Sequence, residues 1–306
     1  MLLELGAGAL TVGAGSYLYL KDQPMRPAPP REGKVLCDFH AHPSKKNKLE
    51  DIVRMLGSPG LVGLAAKYID KSGEDILVYE EAVDIVRIKT DPTFAEITPG
   101  KLAKYKHGYF ARTQEVKAEV FHLLAMGWEG EYLQHNDYGS IDEAVQEIHS
   151  RRGIAIFNHP FFVARGGLLV QFANAEEKGK IKQGYGLVDE VEIHNAFCIN
   201  LIPFLAWANK ANKSAEELIN GYKHHGMAGS DCHRELRQVK IVGNYLSEEC
   251  IKEQGMTGIT ETIKAGQFER YGTYAFGPYV SRWSWMKGVA GDVVAANKII
   301  FNKFYK

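Results

Sequence analysis

From residue 34 onward, short apolar runs alternate with segments whose apolar positions recur every three or four residues. The runs predict strands over 34–40, 60–66, 109–116, 119–126, 154–159, 187–194, 226–231 and 239–245. The longer-period segments predict helices over 48–57, 74–87, 140–152, 200–211, 214–224 and 258–265. Two of these open on capping-box patterns, Ser140-x-x-Glu143 and Ser214-x-x-Glu217. Gly153 and Gly266 fall where helix C-caps belong. Strand and helix in alternation imply a largely parallel α/β sheet.

The ends of the chain break the pattern. Residues 1–20, MLLELGAGALTVGAGSYLYL, carry a single charge, Glu4. A helix of about 20 residues spans the ~30 Å hydrocarbon core of a bilayer. No basic stretch precedes it, whereas Lys21, Arg26, Arg31 and Lys34 follow it. The pattern therefore predicts a transmembrane anchor over 1–21, with the rest of the chain on the cytoplasmic side. A soluble, glycine-rich leader on a cytoplasmic protein is the other reading. Residues 22–33, DQPMRPAPPREG, read as a stiff proline-rich linker, and 34–275 as the main domain. The tail, 276–306, is aromatic and basic, with Asp292 as its one acid. It reads as an amphipathic helix lying on a membrane or packing on the main domain.

Charge and cysteine usage narrow the classes. Lys plus Arg equals Asp plus Glu at 37 each, so no global field draws the chain to nucleic acid. Four cysteines, Cys37, Cys198, Cys232 and Cys250, form no C-x-x-C pair. They suit reduced thiols in a cytosolic setting better than a zinc ribbon or a disulfide framework.

The chemistry sits where the apolar runs end. In CDFHAHPS, Asp38, His40 and His42 occupy every second position, and so share one face of a strand. Neutral imidazole ligates Zn, Fe and Mn, and a carboxylate ligates the metal or orients a ligating histidine. A pair of half-exposed histidines at a strand–loop junction is the plain alternative, and the other strand ends decide. IAIFNHP runs into Asn158-His159-Pro160, and VDEVEIHNA ends in Glu192, His194 and Asn195. GMAGSDCH carries Asp231 and His233, and RTQEVKAEVFHLLAMGWE carries Glu115 and His122. Parallel α/β folds gather chemistry at the C-terminal ends of their strands. So many polar ends together point to a metal site rather than to core histidines.

DFHAH, the Glu115–His122 segment, FNHP, VEIHNA and AGSDCH stand in an order that resembles the PHP family, the polymerase and histidinol phosphatase superfamily. The resemblance covers roughly residues 34 to 270. It implies a distorted (β/α)7 TIM-like barrel and a metal-dependent phosphoesterase with two or three Zn, Mn or Fe ions. His40, His42, Glu115 and Asp231 would hold one ion. Glu115 would bridge to a second, held also by His122 and His159, and His233 matches a ligand of the third. Glu129, in MGWEGE, competes for the bridging role. The second strand departs from the pattern. GLVGLAAKYID offers Lys67 where the family has Thr-Asp-His, and PSKKNK lacks the family's next acidic or histidine residue. Two ions are therefore expected rather than three. Lys67 would supply positive charge in place of the third, or is simply an exposed loop lysine.

On this reading a hydroxide shared by the ions attacks phosphorus in line. Asp231, His233, Lys67 and Arg165 are the candidate catalytic residues, with Arg165 or Arg234 gripping the phosphate. Glu192 and His194 would orient ligands or substrate. The implied substrate is a small-molecule or nucleotide phosphate ester. Two other readings are an amide or nucleoside hydrolase on the same site, and a catalytically inactive membrane-tethered binding protein.

Overall fold

Strand β1 (Lys34–His42) is buried from Val35 to His42, so both of its faces lie inside the molecule. The computed structural model describes residues 29–272, apart from 55, 58, 68–75, 134–137, 166–168, 197–205 and 234–241. The expected anchor over 1–21, most of the linker and the tail over 276–306 lie outside the described residues. Among the described residues, no helix is long and apolar enough to cross a membrane.

After β1 the chain runs through α1 (Leu49–Arg54), β2 (Gly60–Lys67), α2 (Tyr79–Ile88), β3 (Ala95–Thr98), β4 (Leu102–Tyr105), β5 (Gly108–Ala118) and β6 (Phe121–Met126). It continues through α3 (Ile141–Ser150), β7 (Ile154–Asn158), β8 (Phe162–Arg165), β9 (Leu169–Phe172), α4 (Ala175–Tyr185) and β10 (Glu190–Asn195). The last elements are α5 (Ala206–Ile219), β11 (Met227–Gly229), β12 (Cys232–His233), β13 (Gly243–Ser247), α6 (Glu248–Lys264) and β14 (Glu269–Tyr271).

The main sheet has the order β11-β10-β7-β6-β5-β2-β1-β13-β14. Pairs β1/β2, β2/β5, β7/β10 and β10/β11 are parallel. Pairs β5/β6 and β6/β7 are antiparallel, so the sheet is mixed and not largely parallel as expected. The cause is local. Glu119 takes a left-handed conformation (φ 57°), and the chain doubles back from β5 into β6 with no helix between. The sheet curls almost closed at β1, which changes partners along its length. Lys34–Cys37 pair with β13, and Ala41 and His42 pair with β12. The result is a mixed α/β fold around a nearly closed, TIM-like barrel sheet.

Phe39, Leu61, Tyr109, Leu124, Ile156 and Met227 form one apolar cluster from six strands, sealed by Ile251, Met256 and Ile259 of α6. Separate clusters seat α1 and α2 against β1 and β2, and α3, α4 and α5 against β6, β7 and β10.

Other expectations shift. Helix α5 runs through Ser214, so no helix begins there. The expected helix 258–265 is the latter part of α6, which bends at Gly255 (φ 60°, ψ −140°). Ser140 does cap α3, accepting from the Glu143 N–H at 3.1 Å. The hairpins β3–β4 and β8–β9 and helix α4 have no counterpart among the expected elements.

Candidate metal centre

The polar residues of the strand ends converge. His40 and His42 close β1, and Lys67 closes β2 in register with Glu115 of β5. His122 opens β6. Because β6 runs back along β5, its first residues share the end that carries Glu115. Across the next pairing, His122 faces Asn158 of β7, and His159 follows at once. Asp231 follows β11 across the seam from His40.

Glu115 lies at the middle and is 1% exposed. Its Oε1 lies 2.9 Å from His122 Nδ1, 3.4 Å from His40 Nε2 and 3.5 Å from His159 Nε2. Its Oε2 lies 3.4 Å from His42 Nε2 and 3.5 Å from Lys67 Nζ. Asp231 Oδ1 is 3.4 Å from His40 Nε2 and 3.7 Å from His42 Nε2, and its Oδ2 is 3.7 Å from His159 Nε2. Two donor sets have ligand atoms all within 4.8 Å of one another: His40, Glu115 and His159, and His40, His42 and Asp231.

These residues fit divalent ions. Neither Glu115 oxygen has a well-aligned hydrogen-bond donor among the described residues. A buried carboxylate left so is costly. Ligand atoms about 2.1 Å from one ion stand roughly 3.0–3.4 Å apart, close to the spacing found. The electrostatics agree. Burial pushes the Glu115 carboxyl up, but Lys67, His122 and His159 outweigh it and hold it well below the usual carboxylate range. Burial pushes His40 down, but Glu192, Asp231 and Glu115 carry it well above its ordinary value. His159 is likewise raised against burial by Glu115, Asp231 and Glu192. Burial and Lys67 lower His42, and burial lowers His122 against the pull of Glu115. The carboxylates thus draw protons onto two imidazoles, a role that a metal cation fills.

The surrounding structure aims the ligands. His40 Nδ1 meets Glu192 Oε1 at 2.9 Å, His42 Nδ1 meets the Ala65 carbonyl at 2.6 Å, and His159 Nδ1 meets the Phe162 carbonyl at 3.1 Å. Each contact leaves Nε2 directed at the centre, the arrangement that fixes a metal-binding tautomer. Glu192 Oε2 also accepts from the His159 N–H at 3.1 Å and from Asn195 Nδ2 at 2.8 Å. His159 (φ 27°) and Asp231 (φ 49°) hold left-handed backbone, which costs a non-glycine residue of order 1–3 kcal/mol. Backbone N–H bonds to Glu192 and to the His40 carbonyl hold them there.

Several expectations land elsewhere. Asp38 does not join the cluster. Its Oδ1 accepts from the His40 N–H at 3.2 Å and the Ser230 N–H at 3.1 Å, tying β1 to the end of β11. Burial pushes this carboxyl up to about 7 against those bonds. The β1/β2 register slips between Asp38 and Ala41, which interrupts the simple alternation. Glu129 lies outside the cluster, its side chain 54% exposed and 3.2 Å from Arg152. His194 is buried, and its ring packs by Gly272. The backbones of Arg165 and His233 lie in β8 and β12, while their side chains and all of Arg234 lie outside the described residues. Asn195 and Gly229 had no assigned role. A Cβ on Gly229 would collide with Glu192 Oε1 and stand 2.9 Å from His40 Cβ, so the His40–Glu192 pair needs glycine there. An Asn beside a histidine and a Gly before Ser-Asp are the only traces of this in the sequence.

No family model and no curated protein sequence matches the chain. Solved structures similar to it include a two-domain protein from Bacteroides vulgatus containing a predicted PHP-like metal-dependent phosphoesterase. That one is 13% identical with a TM-score of 0.43, over 82% of this chain and 69% of the other. The lesion-specific endonuclease Endonuclease Q from Pyrococcus furiosus is 14% identical with a TM-score of 0.46, over 78% and 57%. Endonuclease Q in complex with a 27-mer duplex carrying an abasic lesion is 13% identical with a TM-score of 0.44, over 78% and 60%. The chain thus spans less than two thirds of the Endonuclease Q chains it matches. Its structural neighbours are PHP-like metal-dependent phosphoesterases and Endonuclease Q.

Proposed function

We propose that the chain is a metal-dependent hydrolase of phosphate esters, built on a PHP-type barrel around two divalent ions. One observation carries this reading. The buried Glu115 carboxylate, without an aligned donor, is ringed by four imidazoles, and Asp231 faces three of them. His40, His42 and Asp231 would hold one ion, and His122 and His159 a second, with Glu115 shared between them. Mn, Zn and Fe all suit this nitrogen and oxygen set. When bound, such ions bring the pKa of water towards 7 and stabilise charge on a phosphoryl group.

The chain's own residues do the rest. Glu192 accepts from His40 Nδ1 and strengthens its other nitrogen as a ligand. The Ala65 and Phe162 carbonyls do the same for His42 and His159. Burial of His40, His42, Glu115 and Asp231 keeps bulk water from competing for the donors. The phosphate ester would be that of a small molecule or a nucleotide.

The test is metal loading followed by a panel of phosphomonoesters, nucleotides, phosphodiesters and a duplex with an abasic site. Hydrolysis should require Mn, Zn or Fe, stop with chelator, and be lost in His159→Ala and Asp231→Asn while both variants stay folded. Turnover that survives in either variant, or that needs no metal, overturns the reading.

A further inference from the structure

The two oxygens of Glu115 face unlike surroundings. Oε1 meets three imidazoles, whereas Oε2 meets His42 and the ammonium of Lys67 at 3.5 Å. The position of Lys67 is set by the sheet, since it lies in register with Glu115 across the parallel β2/β5 pairing. Its side chain is 16% exposed, and its ammonium stands against Glu115 Oε2. A fixed positive charge this close repels a further cation on that flank. An ammonium carries a full positive charge, three donors and no acceptor, so more than one oxygen can share it. A dianionic phosphate gains more from an added cation than a monoanionic diester does.

Resting on the hydrolase reading above, we infer that Lys67 contacts the substrate. Its ammonium holds a non-bridging oxygen of a phosphomonoester dianion, and its charge limits the centre to two ions. Lys67 is then a specificity residue that favours monoesters over diesters.

The experiment uses the full chain loaded with Mn. It reads ions per chain by elemental analysis, inhibition by inorganic phosphate, and kcat and KM on p-nitrophenyl phosphate and bis-p-nitrophenyl phosphate. Lys67→Gln should keep two ions. It should raise KM for the monoester and the inhibition constant for phosphate roughly tenfold or more, with a smaller change for the diester. Lys67→Arg should retain most of the phosphate affinity. Lys67→Asp should take up an additional ion. Unchanged phosphate inhibition in Lys67→Gln overturns the inference. So does loss of ions in that variant, which would make Lys67 a neutraliser of Glu115 alone. An ion count in Lys67→Asp no higher than wild type overturns the limit on ion number. If the wild type takes up ions but hydrolyses no phosphate ester, the hydrolase reading fails, and calorimetric titration of wild type and Lys67→Gln with inorganic phosphate still judges Lys67.

Discussion

Glu115 and Glu129 are the same side chain in opposite settings. The first is enclosed by imidazoles, and the second is half exposed beside Arg152. A carboxylate shared between two cations neutralises part of the charge of both. Glu115→Gln should therefore lose at least one ion by elemental analysis, and Glu129→Gln none. The reverse result would move the shared ligand to the later glutamate. Glu192 acts one step further out. Glu192→Gln keeps its shape but removes the charge facing His40 Nδ1, so metal affinity should fall roughly 10- to 100-fold. Competition against a chromogenic chelator measures it, and an unchanged affinity would reduce Glu192 to a filler of space. His40, His42, His159 and Asp231 stood out in the sequence because each is a polar side chain at the end of an apolar run, whereas Glu115 and His122 lie within their strands and were singled out with the help of the resemblance. Asp38 was misread because a register slip in β1 spoils strict alternation. The acceptors behind His42 and His159 are backbone carbonyls, and no sequence letter marks those.

At the scale of elements, β10 and β11 approach closely at Gly229. Glu192 is held by His40, the His159 N–H and Asn195, so it cannot step aside for a methyl group on Gly229. Gly229→Ala should cost about 1–3 kcal/mol in urea unfolding and weaken metal binding as well. Gly179 is the control. It lies within α4 with nothing within 4 Å of an added Cβ, so Gly179→Ala should stabilise by roughly 0.4–1 kcal/mol and leave metal binding alone. Destabilisation of equal size at both positions would mean that the contact around Glu192 is not what matters. Eight of the strands were visible as apolar runs. Their directions were not, because the reversal from β5 to β6 turns on Glu119 and Val120, which carry no Asn-Gly or Gly-Gly signature. Helix α4, AEEKGKIKQGY, escaped notice because it is polar along most of its length and holds two glycines.

At the scale of the molecule, the centre spans the place where the barrel closes. His40 and His42 stand on β1, and Asp231 stands on the segment that meets β1 across the seam. Glu115 and His122 stand on β5 and β6, and His159 directly follows β7, on the far side of β2. The α/β class followed from the alternation of strand and helix, and the barrel from the resemblance. The seam did not, because the Asp38–Ser230 bond joins residues 192 positions apart, and no local pattern reports it. Ions bound by this set would tie strands that the chain itself connects only through long paths. They bind the folded state and not the unfolded one. At a free concentration one hundred times Kd, one ion adds about 2.7 kcal/mol. For a domain of this size that corresponds to roughly 5–10 °C in Tm. Thermal unfolding with Mn and then with excess chelator should show a shift of that size or more. It should shrink in Glu115→Gln and persist in Glu129→Gln. A wild-type melting point indifferent to chelator would mean that the donors do not hold ions across the seam, whatever activity the protein shows.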